Sequence, residues 1–185
     1  MYKRQDDTPF PGVCSLALEE STTNTTVTTL LSWGVSHAVI EDAGEKYLGQ
    51  QVVKVKDDST ADTIHCIYKV PNQATPADSY RSFSVYAKKG STKYLALSFS
   101  GYSYWTGENG AEAVFDLVNE TWEWADPSKP GESAFIHCSP DGWCRCGITA
   151  QNISGSDQQT RANIFVYNSN GSRTYDGTGG NNYIY

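Results

Sequence analysis

The sequence predicts an all-β fold, an antiparallel β-sandwich or jelly roll, and three observations point there. About ten short runs alternate apolar and polar residues between turn signals, as at 51–56, 64–70, 113–117 and 162–167, the regular spacing of a sandwich. The composition is rich in Tyr (12), Trp (5) and Gly (16) and holds a single Met, which suits strands joined by many turns. No helix-period pattern is long enough to stand alone; the nearest, Leu16 to Glu20, is too short.

The stretch Tyr80–Gly101 organises the rest. Phe83, Val85 and Ala87 alternate with Ser84, Tyr86 and Lys88, and Leu95, Leu97 and Phe99 alternate with Tyr94, Ala96 and Ser98. Between them, Lys88–Ser91 reads as a polar turn with Gly90 free to take positive φ, so the segment is expected to be a β-hairpin with one apolar face. A single hairpin cannot bury that face, so a second sheet is required. The central core is expected to be Phe83, Val85, Leu95, Leu97, Phe115, Leu117, Ile164 and Val166.

Taken in order, residues 1–10 read as a flexible arm and residues 11–185 as one sandwich domain, a size common for a single unit. The opening five residues read as an assembly artefact, and Met1–Asp7 carries charge with no following apolar core, so no signal peptide is recognised. A threonine-rich segment, 21–29, leads into short apolar runs at 30–33 and 38–40. Asp57–Ser59, Asn119–Thr121, Ser139–Gly142 and Asn168–Gly171 are turns, the third with Pro and Gly at favoured positions. Trp122 and Trp124 share one face of a short run, and Tyr183–Tyr185 begins a last strand.

Charge narrows the function. With 14 Lys+Arg against 21 Asp+Glu the net charge is −7, which disfavours phosphate backbones and anionic membranes, and no apolar run is long enough to span a bilayer. Five cysteines, an odd number, argue against a complete disulfide framework. Across the Ser139–Gly142 turn, Cys138 and Cys144 are expected to oppose each other. Ile136, Cys146 and Ile148 would share their core face, with His137, Trp143 and Arg145 facing away. The core cysteines are read mainly as small apolar fillers; a bridge from Cys138 to Cys144 or Cys146 is allowed but not required.

Four motifs in order then look familiar: Phe83–Gly90, Val114–Leu117, Asp141–Cys146 and Tyr175–Gly179. Together they resemble a jelly-roll module, similar to carbohydrate-binding modules, that recurs in structural and tail-fibre proteins of tailed phages. The resemblance covers residues 50 to 185. It departs from the family in lacking a final tryptophan–glycine–alanine–glutamine strand, which suggests a truncated C-terminus, and in placing Cys144 where the family usually has tyrosine. It implies a non-catalytic virion or extracellular module, with surface glycans and other virion proteins as partners, a homo-oligomer being compatible. The alternatives are a carbohydrate-binding module of a secreted polysaccharide-degrading enzyme or, in another class, a jelly-roll glycoside hydrolase or polysaccharide lyase.

The ligand-binding residues expected from the aromatics are Tyr102, Tyr104, Trp105, Glu108, Asn109 and Trp124, with Glu112 as a further polar contact. Aromatic platforms beside Asn and Glu suit sugar rings, whose apolar faces are edged with hydroxyls. The same aromatics also suit edge packing, and Trp122 is read as core. Paired carboxylates for hydrolysis could be drawn from Glu108, Glu112, Asp116, Glu120, Glu123, Asp126 and Glu132, but an acidic chain offers such pairs by chance. A structural calcium ion would find donors at Asp57, Asp58 or Asp176. Zinc is disfavoured, because His65–Cys66 and His137–Cys138 are adjacent strand residues that point to opposite faces.

Overall fold

The computed structural model describes residues 33–70, 74–100, 111–128, 130–159 and 161–185. Within them the chain forms strands and no helix. In order these are β1 (Gly34–Ser36), β2 (Ala38–Tyr47), β3 (Gln50–Asp57), β4 (Thr63–Lys69), β5 (Tyr80–Lys88), β6 (Tyr94–Ser100) and β7 (Glu112–Asp116). They continue as β8 (Thr121–Trp124), β9 (Ser133–Cys138), β10 (Trp143–Gln151), β11 (Arg161–Val166), β12 (Thr174–Tyr175) and β13 (Tyr183–Ile184).

Two antiparallel layers result. The first runs β1-β4-β11-β6-β7-β8, with β12 on β4. The second is made of β5-β10-β9 and β13-β3-β2. Reciprocal backbone bonds join these two halves: Lys88 N–H donates to Tyr185 O (2.8 Å) and Tyr185 N–H to Lys88 O (3.0 Å). The pairings are nested: β4 with β11 in one layer, β5 with β10 in the other, and β3 with β13 outside both.

This corrects the hairpin expected at Tyr80–Gly101. β5 and β6 lie in opposite layers and make no ladder with each other; β5 pairs with β10, and β6 with β11 and β7. Their apolar faces were correctly assigned, but they meet across the core rather than side by side. The Phe83 and Phe99 rings touch edge to face between layers, 5.0 Å apart. Period-two alternation fixes which face is buried and leaves the partner strand open. Gly90 also has a different reason from the one expected. A side chain there would put a Cβ 2.3 Å from the Tyr183 carbonyl oxygen and 2.4 Å from its ring. The glycine permits the close approach of β13 to the end of β5.

All eight expected core residues are buried in one cluster. Ile67 joins them from β4, whereas Cys66 faces outward into a smaller cluster with Ala96, Phe165 and Tyr167. Trp122, read as core, is 38% exposed at the sheet edge, because β8 is the last strand of its layer. The Ser139–Gly142 turn closes as expected, with Gly142 N–H donating to Ser139 O at 2.9 Å, and it sets Cys144 opposite Cys138. Those two cysteines are joined in a disulfide. Of the three core cysteines read mainly as apolar fillers, Cys138 and Cys144 are instead bridged and Cys146 keeps that role as a buried free thiol, while Cys66 is a buried free thiol in the smaller cluster. Burial alone pushes the Cys146 thiol far above its ordinary range, which keeps it protonated and inert.

Candidate ligand-binding face

Strand alternation creates a second surface from the same residues that build the core. In β5, Phe83, Val85 and Ala87 point inward, so Ser82, Ser84, Tyr86 and Lys88 point outward. In β10, Cys144, Cys146, Ile148 and Ala150 point inward, leaving Trp143, Arg145, Gly147, Thr149 and Gln151 outside. The register then lines these residues up in rows: Lys88 beside Trp143; Tyr86, Arg145 and His137; Ser84, Gly147 and Phe135; Ser82, Thr149 and Ser133; Tyr80 and Gln151.

The rows form an aromatic floor with polar edges. Trp143 is buried, because Tyr47 at the end of β2 stacks on it (centroids 4.3 Å apart, planes at 17°). Tyr47 also leans on Tyr86, 5.7 Å away. Trp143 is therefore a prop that fixes the tyrosines. Phe135 and His137 stack 5.5 Å apart. Phe135 lies flat across the sheet over Gly147, where an added Cβ would fall 2.4 Å from its ring. Arg145 donates through Nε and Nη2 to Ser84 Oγ (3.2 and 3.1 Å), with its guanidinium 5.7 Å from the centre of the Phe135 ring. Ser82 and Thr149 share a hydroxyl hydrogen bond of 2.7 Å, and Tyr80 is 61% exposed at the far end. Flat apolar rings ringed by hydroxyl, amide and guanidinium groups match the two-sided chemistry of a sugar ring.

Of the residues singled out in the sequence, Tyr102, Tyr104, Trp105, Glu108 and Asn109 lie outside the described residues, in the connection between β6 and β7. Trp124 sits at the end of β8 opposite Ala113, half-buried against the core, with its ring edge to face with Trp122 at 5.4 Å. Glu112 lies on the other face of that sheet. Its carboxylate accepts from Tyr167 Oη (2.8 Å) and pairs with Arg173 (3.1 Å). Burial raises its pKa, and Arg173 and Tyr167 only partly offset this. The structure thus separates Glu112 from Trp124.

Asp116 and the three aspartates considered for calcium have structural tasks. Asp116 accepts from Lys93 and from the backbone N–H groups of Val118 and Asn119 (both 3.0 Å), closing the β7–β8 turn. Burial opposes its ionisation, but Lys93 and these donors prevail and bring its pKa to about 2. A depressed folded-state pKa gives stability that is complete above the ordinary carboxylate range and is lost as pH falls through it. We expect Asp116 to contribute about 2 kcal/mol at neutral pH, disappearing between about pH 4 and 2. Acid titration of unfolding free energy checks this, with Asp116→Asn expected to flatten the curve in that window.

Asp57 is fully buried, and its oxygens accept from Thr178 N–H (2.9 Å), Gly180 N–H (2.8 Å) and Asn182 Nδ2 (3.0 Å). These bonds outweigh burial and keep its pKa low. Asp58 accepts from Thr60 N–H (2.9 Å) and Asp176 from Asp62 N–H (2.8 Å). Each of these carboxylates thus already accepts at least one N–H donor. His65 is buried against the Tyr175 ring, on the opposite side of β4 from Cys66. Among the described residues, no group of three or more His, Cys, Asp or Glu is arranged to hold a metal ion.

The outer face of β5-β10-β9 was only half visible in the sequence. His137, Trp143 and Arg145 were expected to face away from the core, and Ser84, Tyr86 and Lys88 to form the polar side of β5. What unites them is the β5–β10 ladder, a pairing between distant segments. No protein-family model matches this chain, and no curated protein matches it either, so the face is read from its own chemistry.

Proposed function

We propose that this protein is a non-catalytic glycan-binding module, a jelly-roll sandwich that works at the outside of a phage particle as a tail-associated or decorating component. The observation that carries the glycan reading is the floor of Tyr86, Phe135 and His137 beside Arg145, Ser84 and Thr149 on β5-β10-β9. The outward residues of these strands are aromatic, hydroxylated, amide, cationic or glycine, a set that grips sugars and supplies no carboxylate pair for hydrolysis. Nested pairing of β4 with β11 and β5 with β10 supports the jelly-roll reading. The Cys138–Cys144 disulfide suits an oxidising, extracellular setting. The virion setting rests on the resemblance of the four sequence motifs.

A glycan array followed by calorimetry tests the reading. Tyr86→Ala is expected to weaken binding roughly 5- to 30-fold, the loss of about 1–2 kcal/mol of stacking, with little change in Tm. Trp105→Ala, in the β6–β7 connection, is the comparison arm. Loss of binding there with Tyr86→Ala unaffected would move the site to that loop, and an array with no bound glycan would remove the reading altogether.

A further inference from the structure

We infer that this face takes a glycan chain by its end, and that Tyr47 is the wall against which the terminal sugar stops. The inference rests on the glycan-binding reading of the same face. Its starting point is that the rows of β5 and β10 are not equally open. Trp143, in the first row, is only 7% exposed although it points away from the core. Tyr86 and Ser84, in the next two rows, are half-buried, and Ser82 and Tyr80 beyond them are exposed. The face is therefore closed beside the Ser139–Gly142 turn and opens towards the far end of the two strands. Tyr80 and Tyr86 share β5, roughly 20 Å apart along the strand, with the Ser82–Thr149 hydroxyl pair between them. That is room for several sugars laid along the strands.

The wall comes from another part of the layer. β2 and β3 form a hairpin whose two-residue turn, Leu48–Gly49, has positive φ at both residues (48° and 81°). The ladder shifts between Asp42 and Lys46, where Ala43, Gly44 and Glu45 of β2 face Val52 alone. Such a bulge bends its strand and increases the local twist. Asp42 holds it in shape, accepting from Gly44 N–H (2.8 Å) and from the Gln51 side-chain amide. The bent arm lays Tyr47 flat on Trp143, sets its ring at 57° to that of Tyr86, and brings its hydroxyl 3.5 Å from Ser139 Oγ. Lys88 flanks Trp143, its ammonium 5.9 Å from the ring centre. A chain lying along β5 from Tyr80 thus meets a floor at Tyr86 and a tilted ring at Tyr47, and it cannot continue over Trp143. A terminal sugar can touch both rings at once, whereas a sugar inside a chain would drive its next neighbour into Tyr47.

Amylose, linear xylan and linear mannan, each beside its own tetrasaccharide, can be titrated against the whole protein at equal sugar concentration, where the tetrasaccharide supplies far more chain ends. In a pair that binds, the tetrasaccharide is expected to be the better ligand per sugar by roughly tenfold or more. Tyr47→Ala should remove that preference by opening the path over Trp143, with little change in Tm, and Tyr47→Phe should keep it. Asp42→Ala, which frees the bulge, should weaken the preference with Tyr47 still present. Equal binding of polymer and tetrasaccharide per sugar, or an undiminished preference in Tyr47→Ala, overturns the inference and leaves the glycan reading standing. Failure of all six probes also overturns it, and the reading beneath it falls only if the glycan array is empty as well.

Discussion

Replacing Asp57 with alanine is expected to cost about 3–5 kcal/mol of folding stability, the largest effect foreseen for any single polar side chain here. The residue is fully buried at the end of β3, and its partners Thr178, Gly180 and Asn182 all belong to the segment that leads into β13. Removing the carboxylate leaves several donors of that segment without their acceptor. It also loosens the short strand that joins the two halves of the second layer, since β13 pairs with β3 on one side and its neighbour Tyr185 bonds Lys88 on the other. Asp57→Asn keeps the shape but turns one oxygen into a donor facing donors, so it should recover only part of the loss. Urea denaturation of both variants is the measurement. A loss below about 1 kcal/mol for the alanine variant would mean that the C-terminal segment is held by something other than this carboxylate.

Leu97→Ala should cost about 2–5 kcal/mol, the range for emptying a packed site in a well-filled core. Leu97 is fully buried in the middle of β6, between Ile164 of β11 and Ala113 of β7. Neither neighbour can move into the space without shifting its own strand, so collapse should be incomplete and the cost should fall in the upper part of the range. The loss should appear as a lower denaturant midpoint with an unchanged slope. A loss under about half a kilocalorie would put Leu97 on the wrong side of its sheet.

These two residues differ in how openly the sequence announced them. Leu97 was legible because alternation is local: a strand's buried face shows within seven residues, whatever the strand pairs with. The same holds for the Cys138–Cys144 register, which a short turn fixes by itself. Asp57 looked like an ordinary acidic turn residue, and its role depends on donors 121 to 125 residues further along. The β5–β6 segment read as a hairpin for the same reason. Its apolar faces were plain, but its true partners lie far down the chain. The candidate face fell between these cases: each strand displayed its outward residues, and only the β5–β10 ladder, which sets Ser84 within hydrogen-bond reach of Arg145, 61 residues away, brought them together.

The nested pairing also sets the order in which the molecule can assemble. β2 with β3, β6 with β7, β7 with β8, and β9 with β10 are neighbours in sequence and can zip locally as they form. β4 and β5 have no such neighbour to pair with. β4 has only the three-residue β1 before it and completes its other edge with β11, β5 waits for β10, and the two halves of the second layer stay unjoined until β13 has been made. Closing such long loops is paid in chain entropy before any contact repays it, which places this topology among slow folders, on the order of milliseconds to seconds. During that interval the apolar sides of β4 and β5, the β11 edge of β4 and the β10 edge of β5 are exposed together. On a ribosome the interval lasts until β10, β11 and β13 have been synthesised, so the growing polypeptide is most prone to aggregate before those strands emerge.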